Sequence, residues 1–160
     1  MSNYLITGFS GFVSRHFLEY LAREKRRDSI LGIDLNPPGF KANDFPGIKW
    51  KYEEIDLMEK KKVENSLRRF RPDYILHLAS YSSVAFSWKN PTLSFQNNTN
   101  IFLNLLEAVR KIDLPSRILA VGSSDEYGNV TQDCLPLNED SPLNPVSPYA
   151  VARVAQELLA

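Results

Sequence analysis

Tyr4-Leu5-Ile6-Thr7-Gly8-Phe9-Ser10-Gly11-Phe12-Val13-Ser14 is the stretch that decides the fold. An apolar run breaks at two glycines and resumes as a helical pattern through Phe17, Leu18 and Leu21. That pattern predicts a buried strand, a tight turn and the start of an amphipathic helix. A helix N-terminus facing such a turn exposes unpaired N–H groups and a partial positive charge, which together attract a phosphate. Gly8 would let the turn form, and Gly11 would let the backbone approach a diphosphate with no Cβ in the way. The spacing is Gly-x-x-Gly-x-x-Ser, with Ser14 where a third glycine is usual. A small side chain there still permits close helix–strand packing. Strand–turn–helix units with two glycines also occur for purely structural reasons, so the turn alone does not settle its purpose.

An acidic residue at the right distance decides between the two readings. The next apolar run, Ser29-Ile30-Leu31-Gly32-Ile33, ends at Asp34, roughly twenty residues beyond the glycines. A carboxylate at the end of a second strand can accept hydrogen bonds from ribose hydroxyls and would repel a 2′-phosphate, so NAD is favoured over NADP. The alternative is that Asp34 merely opens the polar loop Asp34-Leu35-Asn36-Pro37-Pro38-Gly39. Together with the glycines, the coenzyme reading prevails, with Gly8, Phe9, Ser10, Gly11, Phe12 and Val13 as the turn that meets NAD.

At 160 residues the chain has the length of one domain, large enough for a real core. Nineteen basic and nineteen acidic residues balance, so nothing in the charge points to a nucleic-acid partner. No apolar stretch approaches membrane-spanning length, and the first residues read as a strand rather than an export signal. The single cysteine, Cys134, has no partner for a disulfide and no neighbours for a metal site, and no metal is expected. These features predict a cytoplasmic protein. The chain stops at Glu157-Leu158-Leu159-Ala160 inside a helical pattern with no stop signal, which predicts that it is the N-terminal part of something longer.

In order, the sequence predicts a helix from about Phe12 to Arg27, with Phe12, Phe17, Leu18, Leu21 and Ala22 inward and a basic tail suited to a helix C-terminus. Pro37 to Gly47 reads as a surface loop. Lys49-Trp50-Lys51-Tyr52-Glu53-Glu54-Ile55 alternates as a short strand ending at Asp56, which with Leu57 stands where adenine could be contacted; Asp56 could equally cap the next helix. That helix, Glu59 to Phe70, turns Val63, Leu67 and Phe70 inward. Tyr74-Ile75-Leu76-His77-Leu78-Ala79 reads as a central parallel strand, with His77 as a core residue. Leu78, Ala79 and Ser80 at its end would pass beneath the cofactor. Tyr81 to Pro91 reads as an irregular loop over the ligand crevice. A long helix follows from Pro91 to Ile112, with Phe95, Ile101, Phe102, Leu105, Leu106 and Val109 as its apolar stripe. Asn97, Asn98 and Asn100 are poor helix formers within it, and Asn98 is the one expected to do a buried polar task. Arg117 to Gly122 is a fifth strand, and Ser147-Pro148-Tyr149 opens the last helix.

Strands alternating with helices, with no hairpin signature, predict an α/β fold: a Rossmann-type, doubly wound parallel sheet with helices on both faces. Ligands of such sheets lie beyond the carboxyl ends of the strands, where the glycine turn, Asp34, Ala79, Ser123 and Tyr149 would gather. Tyr149 and Arg153 are four apart and share a helix face. A cation beside a phenol stabilises the phenolate, so this tyrosine can exchange a proton with an alcohol or carbonyl oxygen while a hydride moves to or from nicotinamide. A serine hydroxyl from Ser123-Ser124-Asp125-Glu126 would hold the same oxygen. A tyrosine packed on a core helix beside an exposed arginine is the structural alternative.

Thr7-Gly8-x-x-Gly11-Phe12, Asp34, His77-Leu78-Ala79, Asn98, Ser123 through Gly128 and Ser147-Pro148-Tyr149-Ala150 occur in this order across nearly the whole chain. The set resembles the NAD-dependent epimerase/dehydratase family, the extended short-chain dehydrogenase/reductases that act on nucleotide sugars. The resemblance implies an oxidoreductase or lyase with a Rossmann domain over residues 1–160, a catalytic Ser/Thr–Tyr–Lys trio, a nucleotide-sugar substrate, and a substrate domain beyond Ala160. It also implies that Asn98, Tyr149 and Arg153 meet the coenzyme, and that the full protein is a homodimer. Within the family the loop Gly122 to Gly128, with Ser82-Ser83-Val84 and Trp88, is most similar to the GDP-4-keto-6-deoxymannose reductases, and next to the GDP-mannose 4,6-dehydratases.

Two registers of that loop imply different chemistry. Matched without a gap, Ser123 is the hydroxyl partner and Asp125 a shortened carboxylate. Matched with one, Asp125 and Glu126 supply the acid and base that eliminate water. The chain departs from the family at Ser14, at Ile101 where a helix glycine is common, and at Arg153 where lysine belongs; an arginine fork cannot copy an ammonium's contacts. Three functions are therefore weighed: C4 reduction of a GDP-linked 4-keto-6-deoxy sugar, a 4,6-dehydratase or 4-epimerase, and a non-catalytic dinucleotide-binding sensor or scaffold.

Overall fold

The structure, a computed structural model, describes residues 1–160. The chain divides into two compact units, one formed by residues 1–79 and 104–120, the other by residues 80–103 and 121–160.

The first unit is built on five parallel strands: β1 (Asn3–Thr7), β2 (Ser29–Asp34), β3 (Lys49–Glu54), β4 (Tyr74–His77) and β5 (Arg117–Ala120), in spatial order β3-β2-β1-β4-β5. The winding runs outward from β1 through β2 to β3, then reverses to β4 and β5. Right-handed crossovers place the two sets of connections on opposite faces, and the reversal makes the C-terminal end between β1 and β4 the switch point where ligands bind. In β1 and β2, Leu5, Ile6, Thr7 and Ile30 through Ile33 are buried without alternation, as expected of strands covered on both faces. The edge strands β3 and β5 alternate instead.

Helix α1 (Phe12–Arg23) is shorter than the basic tail implied. Lys25 takes a left-handed φ of 52°; its N–H donates to the Ala22 carbonyl and that of Arg26 to the Leu21 carbonyl, closing the helix with a Schellman turn. Ser14, Leu18 and Leu21 form its buried face. Phe12, expected inward, is 78 % exposed, because its place in the first turn points it away from the sheet side. Helix α2 (Lys60–Phe70) is capped at Glu59, so Asp56 does not cap it; Asp56 Oδ1 instead accepts the Met58 N–H at 2.8 Å in the turn before the helix.

The stretch from Pro37 to Gly47 is not simply a surface loop. Phe40 and Phe45 are buried in it and meet edge to face at 5.2 Å; Phe40 also meets Phe9 at 5.2 Å and Trp50 at 5.5 Å. Two aromatics without periodicity carry no local signal, yet they close one end of the core. Phe9 fits only because Gly32 of β2 has no Cβ, which would otherwise fall inside the ring.

In the second unit, residues 84–89 are a helix rather than a loop: α3 (Val84–Lys89), whose N-cap Ser83 Oγ accepts the Phe86 N–H at 3.1 Å. Helix α4 (Pro91–Lys111) runs through both units. Ile101, Phe102, Leu105 and Val109 are buried as expected, but Phe95 is 40 % exposed, since one turn from the helix start it lies off the buried stripe that Ser94 and Asn98 occupy. Helix α5 (Pro148–Leu159) opens with Ser147 Oγ accepting the Ala150 N–H at 3.1 Å and proline at the first helical position. No helix is long and apolar enough to cross a membrane.

Candidate functional site

The glycine turn lies in the first unit. Gly8 adopts φ +70°, and a Cβ there would stand 2.8 Å from the Ala79 nitrogen, so neither the conformation nor the space admits a side chain. Gly8 N–H donates to the Ile33 carbonyl at 3.0 Å, and Gly11 N–H to the Gly8 carbonyl at 3.0 Å, folding the turn over the ends of β1 and β2. Helix α1 starts at Gly11 with no side-chain cap and no acidic residue in its first turn. Its leading N–H groups are left for an outside acceptor, with Gly11, Phe12 and Val13 exposed around them.

Asp34 closes the other side of this turn. Its Oδ2 accepts from Ser10 N–H at 2.9 Å and from Ser10 Oγ at 2.7 Å, while Oδ1 accepts from the N–H groups of Leu35 at 2.7 Å and Asn36 at 3.2 Å. The carboxylate is thus fixed before any ligand arrives. Phe9 contributes differently: its ring is fully buried in the core and its N–H faces the Ile33 carbonyl at 3.4 Å.

Thr7 and His77 are register partners on β1 and β4, and Thr7 Oγ1 lies 2.8 Å from His77 Nδ1. The same oxygen accepts the Ala79 N–H at 3.3 Å. His77 is therefore a core histidine that helps fix the Leu78–Ala79 end of β4 under the glycine turn. Sequence reasoning missed Asn104, whose buried Nδ2 donates to the Leu57 carbonyl at 2.9 Å and holds the segment beside Asp56. An asparagine on the buried stripe of α4 was the available signal.

The remaining candidates lie in the second unit. Asn98 is fully buried; its Oδ1 accepts the Tyr81 N–H at 2.7 Å and its Nδ2 donates to the Tyr81 carbonyl at 3.0 Å. Both ends of the amide thus clamp one backbone residue beside Ser80.

Ser123 through Tyr127 form a capped 3-10 turn: Ser123 Oγ accepts the Asp125 N–H at 3.3 Å, and Glu126 Oε1 accepts the Ser123 N–H at 2.7 Å. The Ser123 hydroxyl accepts here, so its proton remains to be donated elsewhere. Glu126 is buried, and Gly122 leaves it room: a Cβ there would sit 3.1 Å from Oε1. Burial, with the nearby Glu157 carboxyl, pushes Glu126 up to about 7, against the pull of the Ser123 N–H and Arg153. Ser124 is exposed and Asp125 half-buried.

Tyr149 and Arg153 are both buried on α5. Arg153 Nε donates to the Tyr149 hydroxyl at 3.2 Å, and the guanidinium carbon stands 5.2 Å from the ring centroid. The rest of the fork is held by the protein. Nη1 donates to the Val121 carbonyl at 3.1 Å and to Gln156 Oε1 at 2.9 Å, and Nη2 to Ser80 Oγ at 2.6 Å. The tyrosine–cation pair is therefore formed, and the packed-tyrosine, exposed-arginine alternative does not describe it. Gln156, which sequence reasoning passed over, stands three residues beyond Arg153 on the same face of α5.

A parallel sheet with a glycine turn at its switch point defines an α/β class that binds its ligand beyond the strand ends, and the second unit holds a tyrosine and a cation in fixed geometry. The comparisons make the assignment: the profile described as NAD dependent epimerase/dehydratase family matches residues 4–160, and the chain belongs to that family. Relatives include the GDP-6-deoxy-D-mannose reductase of Pseudomonas aeruginosa, 30% identical over 154 residues that cover 96% of this chain and 44% of that protein. The GDP-mannose 4,6-dehydratase of Vibrio cholerae is 28% identical over 94% of this chain and 42% of its own. Among solved structures, the UDP-glucose 4-epimerase of Thermus thermophilus in complex with NAD matches with TM-score 0.79 and 32% identity, over 98% of this chain and 49% of that one. The chain thus spans about half the length of the proteins it matches. The family is NAD-dependent, and its members include reductases, dehydratases and epimerases of nucleotide sugars.

Proposed function

We propose that the chain is the NAD-binding part of a nucleotide-sugar enzyme, and that the whole protein reduces GDP-4-keto-6-deoxymannose at C4. The observation that carries the reading is the Arg153 Nε bond to the Tyr149 oxygen. Because that oxygen accepts from arginine, the phenol's own proton is free to be given to the substrate oxygen. The guanidinium beside it stabilises the phenolate that remains. Ser123, whose hydroxyl proton is likewise uncommitted, orients the carbonyl. NADH, when bound, supplies the hydride.

The coenzyme fits the residues present. The uncapped start of α1 and the Cβ-free turn at Gly8 and Gly11 suit the diphosphate, and the fixed carboxylate of Asp34 suits the adenosine ribose and disfavours NADP. Phe12 and Val13 would flank the diphosphate, Asp56 and Leu57 the adenine, and Leu78, Ala79 and Ser80 would lie beneath the bound molecule, while Asn98 would act by shaping the Tyr81 backbone. Residues beyond the span of this chain would grip the sugar and nucleobase, and the whole protein would be a cytoplasmic homodimer.

A second reading, a 4,6-dehydratase or 4-epimerase, is favoured by the buried, easily protonated Glu126 with Asp125 beside it, and by the UDP-glucose 4-epimerases among the relatives. Stoichiometric oxidation of NADH by the full-length protein with GDP-4-keto-6-deoxymannose supports the reductase. Turnover of a nucleotide sugar with no net NADH consumed supports the second reading. Tight NAD binding with no turnover of any sugar nucleotide, even in Arg153→Lys, would leave only a binding role.

A further inference from the structure

Arg153 is a buried cation with no carboxylate within ion-pairing distance. Four of its five N–H groups are assigned, and every acceptor is formally neutral: the Tyr149 hydroxyl, the Val121 carbonyl, the Gln156 amide oxygen and the Ser80 hydroxyl. A buried charge is normally paired, so a charge solvated only by neutral dipoles is primed for an anion placed beside it. The one acceptor of the four that becomes an anion in the proposed chemistry is Tyr149.

Gln156 is the acceptor that most needs explaining. It is 2 % exposed, its Oε1 takes one Nη1–H at 2.9 Å, and its buried Nε2 has no hydrogen-bond partner. An unpaired buried N–H costs stability. A glutamate at 156 would have no such unpaired donor and would form an ion pair with Arg153. An aliphatic residue would have no polar atom to satisfy. The chain instead carries a neutral acceptor that orients the guanidinium without cancelling its charge. Lysine could not use this arrangement, since one ammonium cannot reach acceptors spread across a planar fork.

We propose that Gln156 is a positioning residue for proton transfer: it turns the Arg153 fork so that Nε faces the Tyr149 hydroxyl, and its neutrality reserves the positive charge for the phenolate. The charged and titratable groups around this pair are Glu126 from the 3-10 turn after β5 and Glu157 from α5 itself; Glu126 feels Arg153 without forming an ion pair with it. The inference rests on Tyr149 being the proton-transfer group.

The test is an alkaline ultraviolet titration of the 160-residue chain, with the curve of Tyr149→Phe subtracted to isolate one phenol among the seven tyrosines. Gln156→Glu keeps the acceptor for Nη1 and adds a counter-charge, so its phenol curve moves to higher pH by about one unit or more while the fold is kept. Gln156→Leu removes the acceptor but no charge, and moves the curve in the same direction by less. Curves for both variants that superimpose on the wild type overturn the proposal. Loss of the fold in both variants also overturns it, because Gln156 would then be a structural residue rather than a positioning one; where Gln156→Glu alone is lost, the Gln156→Leu curve decides. The titration needs neither coenzyme nor sugar. A full-length protein that fails to turn over would therefore count against the reductase reading and leave this inference standing.

Discussion

Glu126 shows how far a single residue could be read in advance. Its place in Ser123-Ser124-Asp125-Glu126 marked it as a candidate acid or base, but which register applied depended on where the carboxyl goes. It turns back onto the Ser123 N–H, over a glycine that leaves it room, and burial raises its affinity for a proton. The folded chain holds this proton more tightly than the unfolded chain, whose glutamates titrate near 4.5. Glu126 thus favours the fold fully below about 4.5 and loses that contribution as pH rises through about 7. Urea denaturation across pH 4.5–8 should show wild-type stability falling along this limb relative to Glu126→Gln, in which the loss is absent. The places of Gly8 and Asp34 in the turn were legible from spacing alone because both lie within one βαβ unit. Gln156 was not, because an amide on an inward helix face looks like any other until the direction of the Arg153 fork beside it is known.

At the scale of elements, strands and long helices follow from periodicity, and the misreadings fall where periodicity is absent. The six residues of α3 span under two turns, too few to show a period, and only Ser83 as a cap hinted at a helix. The end of α1 was set by Lys25 in the left-handed region, a conformation that lysine does not advertise. Asn98 is the clearest success, expected as a buried polar tie because asparagine is a poor helix former. It is the pin that holds α4 to the segment after β4, through both polar groups of Tyr81. Asn98→Leu would leave a backbone N–H and a carbonyl without partners, and should cost about 2 kcal/mol or more of stability. Thermal and chemical denaturation measure this. Asn98→Asp, which keeps the acceptor for the Tyr81 N–H but sets a carboxyl oxygen against its carbonyl, should fall short of wild type as well.

At the scale of the molecule, the strand order β3-β2-β1-β4-β5 puts the glycine turn at the point where the winding reverses. A ligand that binds the folded chain alone stabilises it by mass action: NAD at a hundredfold excess over its dissociation constant should add about 2.7 kcal/mol. NADP at the same concentration should add much less, and Gly8→Ala should abolish the effect by closing the turn against Ala79. Melting curves with and without coenzyme decide this. The sequence by itself determined the alternation of strands and helices, the parallel sheet, the glycine turn and its acidic partner, since these depend on local spacing and on side chains no more than one βαβ unit apart. Only the tertiary structure decided that Phe40 and Phe45 belong to the core, that Asp34 is already held by Ser10, and that Arg153 is gripped by Ser80, Val121 and Gln156. Ser80 and Val121 reach Arg153 from distant parts of the chain, and even where the partner is near in sequence, as Gln156 and Ser10 are, the direction in which a polar group spends its hydrogen bonds is fixed only when its neighbours are in place.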